Sequence, residues 1–233
     1  MRTLIAVPCM DMIHACFTSS LVNMLLQNKE YDLTVEFGVS SLIYDTRNQL
    51  IARAIDGEYD RILWLDSDMV FEPEILRVLF EDLDHGFDIV SGLYFGRVAP
   101  SKPIVFSQCD IEQLEDGRLN PLSEAYWDYP DNSLFEAAAF GFGCVAMNVS
   151  ALKNVVDTYG KLLFMPVGGF GEDMSFCMRA RSAGVKLWCD SRVKLGHSGH
   201  KVYTEEDYRK AGKDGNQQHS DPEGQDSTAP FDE

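Results

Sequence analysis

The chain has 233 residues and a formal charge of −17, from 20 Lys and Arg against 37 Asp and Glu. Apolar residues make up 45% and charged residues 24%, which excludes a fully disordered, collagen-like or coiled-coil chain. The acidity argues against a general nucleic-acid binder and against charge-driven docking on anionic lipid, both of which need a basic face. It leaves room for an anionic ligand, because a bound divalent metal can reverse the local sign of a site.

Residues 4–7 form a continuous apolar run closed by Pro8, which reads as a first strand; it is too short for the core of a signal peptide. Phe17, Leu21, Met24 and Leu25 follow helical spacing, and Leu33, Val35 and Phe37 alternate as a strand does. Leu50, Ile51, Ala54 and Ile55 return to helical spacing, and Gly57 stops it. Residues 62–65 are again continuously apolar, as in a strand covered on both faces. Pro73 suits the first turn of a helix carrying Ile75, Leu76, Leu79 and Leu83, and residues 89–93 make a fourth strand. This alternation predicts an α/β fold, a mainly parallel central sheet flanked by helices. Residues 101–135 mix Pro, Asp and aromatics, with a turn at Asp116-Gly117. Residues 135–148 read as a Gly-broken strand beside a site, 151–159 as a short helix, 172–183 as a helix stopped by Gly184, and 185–193 as a strand.

One domain over 1–212 and a disordered acidic tail over 213–233 are expected, since the tail is too polar to offset its ordering entropy. The six cysteines include no CxxC pair and read as reduced, buried thiols. No run of about 18 apolar residues exists, so no transmembrane segment is expected and the protein is placed in the cytoplasm.

Three segments could carry chemistry. Asp66-Ser67-Asp68 follows the buried 62–65 run, and ligands of open α/β sheets bind beyond the carboxyl ends of strands. On an extended chain, residues i and i+2 point to one side, and paired carboxylates suit a hard cation such as Mg²⁺ or Mn²⁺. The plainer reading is that both acids cap the turn into the Pro73 helix. Gly168-Gly169-Phe170-Gly171 leads into Glu172-Asp173, where acids favour a helix start; the glycines could also admit a substrate close to the backbone. Gly196-His197-Ser198-Gly199-His200 offers two imidazoles for metal or phosphate.

These segments, in this order, resemble a metal-dependent glycosyltransferase of the GT-A fold, close to the family 2 group of inverting enzymes. The features that carry the resemblance are the 62–68 segment, Asp88 to Tyr94, Gly141-Phe142-Gly143-Cys144, Phe170 to Asp173 with Phe176, and His197, with Thr46-Arg47-Asn48 upstream. The resemblance implies a nucleotide-diphosphate sugar donor, a UDP-sugar first, and a carbohydrate or other hydroxyl acceptor. It implies Asp68 as a direct ligand of Mn²⁺ or Mg²⁺, Asp66 toward the ribose and supporting the metal, and His197, or else His200, as a further ligand. It implies Asp173 as the general base and Glu172 as its helper or the acceptor's. Pro8 and the loop after it would line the nucleotide pocket with Ser67, and Arg47 would contact the nucleotide. Asp173, at a helix start, is expected to stay ionised. The chain has no QxxRW motif, so a single-transfer enzyme is implied. Two other classes compete: a nucleotidyltransferase, which would carry a Gly-rich basic loop where Pro8-Cys9-Met10-Asp11 stands, and a non-catalytic sugar- or nucleotide-binding module. Phe140 and Phe142 read as core, and Trp127 as the aromatic most suited to an acceptor.

Overall fold

The computed structural model describes residues 1–98, 100–199 and 201–215. In chain order the elements are β1 (Arg2–Cys9), α1 (Ala15–Gln27), β2 (Asp32–Val39), α2 (Ile43–Asp56), β3 (Arg61–Leu65), β4 (Met69–Val70), α3 (Ile75–Asp84), β5 (Ile89–Leu93), β6 (Val105–Gln113), β7 (Leu119–Ala125), β8 (Leu134–Glu136), β9 (Ala139–Phe140), β10 (Cys144–Asn148), α4 (Val149–Tyr159), α5 (Glu172–Ser182), β11 (Trp188–Lys194), β12 (Gly196–Ser198), β13 (Val202–Tyr203) and α6 (Glu205–Gly215).

Seven strands form the central sheet in the order β2-β1-β3-β10-β5-β11-β8. Strands β2, β1, β3, β5 and β11 run the same way, while β10 and β8 oppose them. Successive residues of a strand face opposite sides of the sheet. Leu4, Ala6, Ile62 and Trp64 therefore pack with Leu50, Ile51 and Ala54 of α2, Leu152 and Val155 of α4, and Phe176 and Ala180 of α5. Ile5, Val7, Leu63 and Leu65 pack on the other side with Phe17, Leu21 and Met24 of α1 and Leu76, Leu79 and Leu83 of α3. The unbroken apolar runs follow from this: every residue of β3 is buried because both faces are covered.

Two small sheets flank the large one. β12 pairs with β13 and with β4, the short strand just past Asp68, so His197 stands opposite Met69. β6 and β7 form a hairpin, with β9 on its other edge. The hairpin stands where the sequence promised only a turn, and that turn is confirmed: Gly117 has φ +82 and its N–H donates to Leu114 O. The 135–148 run divides into β8, β9 and β10. The expected boundary at 212 cuts through α6, which stays helical to Gly215; the rest of the expected tail lies outside the described residues. All six cysteines are free. Among the described residues no helix is long and apolar enough to cross a membrane.

Candidate active site

The site gathers at the carboxyl ends of β1, β2 and β3 and the start of α5. The premise that Asp66 and Asp68 lie on an extended chain does not hold, although both line one cleft. The chain stops being extended after Leu65: Asp66 N–H donates to Gly143 O at 3.0 Å, and Met69 N–H turns back to Asp66 O at 3.1 Å. The two carboxylates consequently meet different partners. Asp66 Oδ1 accepts from Arg47 Nη2 at 3.0 Å. Asp68 Oδ2 faces His197 Nε2 at 3.3 Å and accepts from Arg97 Nη1 at 2.9 Å. The β4–β12 pairing delivers His197, and Ser198 N–H donates to Asp68 O at 2.8 Å. His197 Nδ1 lies 2.9 Å from Phe95 O. A carbonyl oxygen only accepts, so Nδ1 carries a hydrogen and the ring is held with Nε2 toward Asp68. Burial alone would raise the Asp68 carboxyl, but the hydrogen bond and charge of His197, with Arg97, hold it below its ordinary value.

Arg47, on the second turn of α2, is only 2% exposed. Its guanidinium lies within 5.2 Å of the Phe142 ring centroid, 5.6 Å of Phe164 and 5.8 Å of Trp64. Besides Asp66 it faces Asp173 Oδ1 at 3.5 Å and Glu172 Oε1 at 3.8 Å. Burial works against its charge, yet Asp66, Asp173 and Glu172 together hold its pKa above the ordinary value. An uncompensated cation at this depth would be costly, and the surrounding acids and ring faces are what compensate it. The guanidinium is engaged by the acids, while Arg47 lines the cleft beside Asp66.

Glu172 and Asp173 do not cap their own helix. Gly171 is the N-cap residue and makes no side-chain capping bond. Asp173 Oδ2 instead accepts from Phe142 N–H at 3.1 Å. The helix start favours an ionised Asp173, but its surroundings oppose that. Burial pushes its carboxyl up to about 7; Arg47 pulls it down, while Asp66 and Glu172 push it further up. Asp66 is raised for the same first reason, burial, against the pull of Arg47. Three acids around one guanidinium leave an excess of negative charge, and desolvation makes that excess expensive.

Pro8, Arg47, Asp66, Ser67, Asp68, Glu172 and Asp173 all line one cleft of about 320 Å³, joined by Cys9, Met10, Ser40, Ser41 and Ile43. Residues more than 100 positions apart in sequence thus converge on one cavity of ligand size. His197 joins through Asp68; His200 lies outside the described residues. Among the described residues, no group of three or more His, Cys, Asp and Glu is assembled as a ready cation cage. Asp68 and His197 nevertheless suit a divalent ion as a partial set, an anionic oxygen beside an oriented imidazole nitrogen, with the remaining positions left to ligand oxygens and water.

Sequence reading missed Arg97 and gave Tyr94 no role of its own. Tyr94 is buried beside Gly141 and Gly143, where an added Cβ would lie 2.0 and 2.8 Å from its Oη and Cζ, and its Oη accepts from Gly143 N–H at 3.2 Å. The Gly-Phe-Gly spacing was the available signal for a closely approaching group. The glycines at 168 and 169 have φ +60 and +90, and a Cβ on each would meet Ile111 and Pro121 of the hairpin. That space is filled by protein, not kept for substrate. Phe140 and Phe142 are core, as expected. Trp127 is 46% exposed and stacks on Tyr208 of α6, outside the cleft lining.

No protein-family model matches the sequence, and no curated protein does. Among solved structures, 332 chains match. A197 from STIV superposes with a TM-score of 0.58 at 17% identity, over 85% of this chain and 86% of that one. At that identity the likeness speaks for the fold alone, a mixed α/β fold whose sheet is mostly parallel in strand direction and flanked by helices.

Proposed function

We propose that the protein is a metal-dependent glycosyltransferase of the GT-A fold, moving a sugar from a nucleotide-diphosphate donor, a UDP-sugar first, to an acceptor hydroxyl with inversion. The observation that carries this reading is the convergence of Asp68–His197 and Glu172–Asp173 on the cleft at the carboxyl ends of β1 and β3. The first pair suits a divalent ion; the second sets a carboxylate with a pKa near neutrality in the same cavity. A general base works best when its pKa lies near the working pH.

Asp68 and His197 would hold Mn²⁺ or Mg²⁺, whose charge stabilises a departing diphosphate. Asp66, held by Arg47, borders the same cleft on the nucleotide side with Pro8 and Ser67. Asp173 takes the acceptor's proton, and Glu172 orients the acceptor hydroxyl. Phe142 N–H holds one Asp173 oxygen, and Arg47 Nη2 faces the other at 3.5 Å. Six free thiols fit a reducing compartment, and the cytoplasm is the location proposed. Consumption of UDP-sugars by wild type and Asp68→Ala, screened over hydroxyl acceptors, tests the reading. The variant is expected to lose about a hundredfold or more, as loss of a metal ligand should cause. A variant that keeps most of the activity contradicts the assignment, and so does pyrophosphate release from a nucleoside triphosphate, which marks nucleotidyl transfer.

A further inference from the structure

Asp68 Oδ2 already has a cation on it. Arg97 donates to that oxygen at 2.9 Å through the same Nη1 that reaches Ser198 O at 3.2 Å. The oxygen is the one that His197 Nε2 faces. Arg97 leaves the sheet just past β5, in a loop whose ends are tied by the bond from Gly96 N–H to Lys102 O at 2.9 Å. Its side chain is 46% exposed, unlike that of Arg47, so its outer end can turn without breaking a core. Gly199 gives it passage: an added Cβ there would lie 3.1 Å from Arg97 Cδ.

Resting on the reading above, we infer that Arg97 is an exchangeable counter-ion, which cedes Asp68 to the divalent metal and turns to the donor's diphosphate. A metal ion and a guanidinium cannot share one carboxylate oxygen without repelling each other. Once the metal takes Asp68 Oδ2, the partner left to Arg97 among the described residues is a backbone carbonyl, Ser198 O. A phosphate oxygen is then the stronger partner, and guanidinium geometry suits phosphate in two-point contact. The device keeps Asp68 neutralised in the empty cleft, which already holds the unbalanced acids around Arg47, and brings a positive group to the diphosphate when it arrives.

Two titrations of the full chain test this. Mn²⁺ alone is followed by the resonance of the free ion, and UDP at saturating Mn²⁺ is followed by calorimetry. In Arg97→Met, Mn²⁺ is expected to bind about threefold to tenfold more tightly, because its competitor is gone, and UDP about tenfold more weakly, because a charge-assisted contact is lost. Arg97→Gln is expected to shift both in the same directions. Arg97→Lys, which keeps the charge, is expected to stay within about threefold of wild type for Mn²⁺. Lys153→Met removes one positive charge beside Met1 and Asp60, at the opposite end of the sheet, and is expected to leave both titrations unchanged. Neutral Arg97 variants that bind Mn²⁺ no more tightly, or UDP as well as wild type, overturn the inference while leaving the glycosyltransferase reading in place. Wild-type protein that takes up neither Mn²⁺ nor UDP overturns both.

Discussion

Asp173 stands in the first turn of α5, where the helix dipole favours a negative charge, yet its carboxyl is pushed up to about 7. The dipole contributes about 0.3–1 kcal/mol at such a position. Desolvation beside Asp66 and Glu172 outweighs it. The base form is the unprotonated one, so activity is predicted to fall as pH drops through about 7 and to level off above it. Asp173→Asn keeps an oxygen for the Phe142 N–H and removes the proton acceptor. Its kcat is predicted to fall about 10²- to 10⁴-fold and to lose that acid limb, with nucleotide affinity not weakened. A variant that retains most of the wild-type rate, or the wild-type pH profile, would show that Asp173 is not the base.

At the scale of elements, α3 and β11 meet through a charged knot whose two carboxylates are buried. Arg192 Nη2 bridges Asp82 Oδ1 at 2.8 Å and Asp190 Oδ2 at 2.7 Å. Burial pushes the Asp82 carboxyl up to about 6, with the hydrogen bond and charge of Asp190 adding and Arg192 opposing. The folded pKa lies above the ordinary 3.8, so the folded state binds more protons in the interval between. Stability contributed here is full below about 4 and is lost as pH rises through about 6. In urea unfolding, wild type is predicted to lose on the order of 1–2 kcal/mol relative to Asp82→Asn across that window, the variant having no such carboxyl to titrate. Parallel stability curves for the two proteins would refute this account of the joint.

At the scale of the whole molecule, the central layer was legible because the continuous apolar runs at 4–7 and 62–65 have one physical solution, burial on both faces. The antiparallel entry of β10 between β3 and β5 was not, since an apolar run does not name its neighbour. The β6–β7 hairpin escaped because Ser107, Gln108, Asp110 and Glu112 are exposed and break the apolar signal. Within the site, the acids at strand and helix ends could be read from position. Their partners could not: the turn at Asp66 is set by Gly143, and Arg97 finds Asp68 only through folding. The dual positioning of Asp66 and Asp68 is thus a property of the assembled fold, and so is the cleft they border. The proposed ligand, a diphosphate on a metal, would have to enter that cleft in a chain whose net charge of −17 otherwise repels anions. The most direct test is a calorimetric titration of the purified protein with UDP, with and without Mn²⁺, followed by GDP and dTDP. Binding of a nucleoside diphosphate that requires Mn²⁺ and disappears in Asp68→Ala is the predicted result; no binding of any of the three, or binding indifferent to both metal and Asp68, would contradict the account.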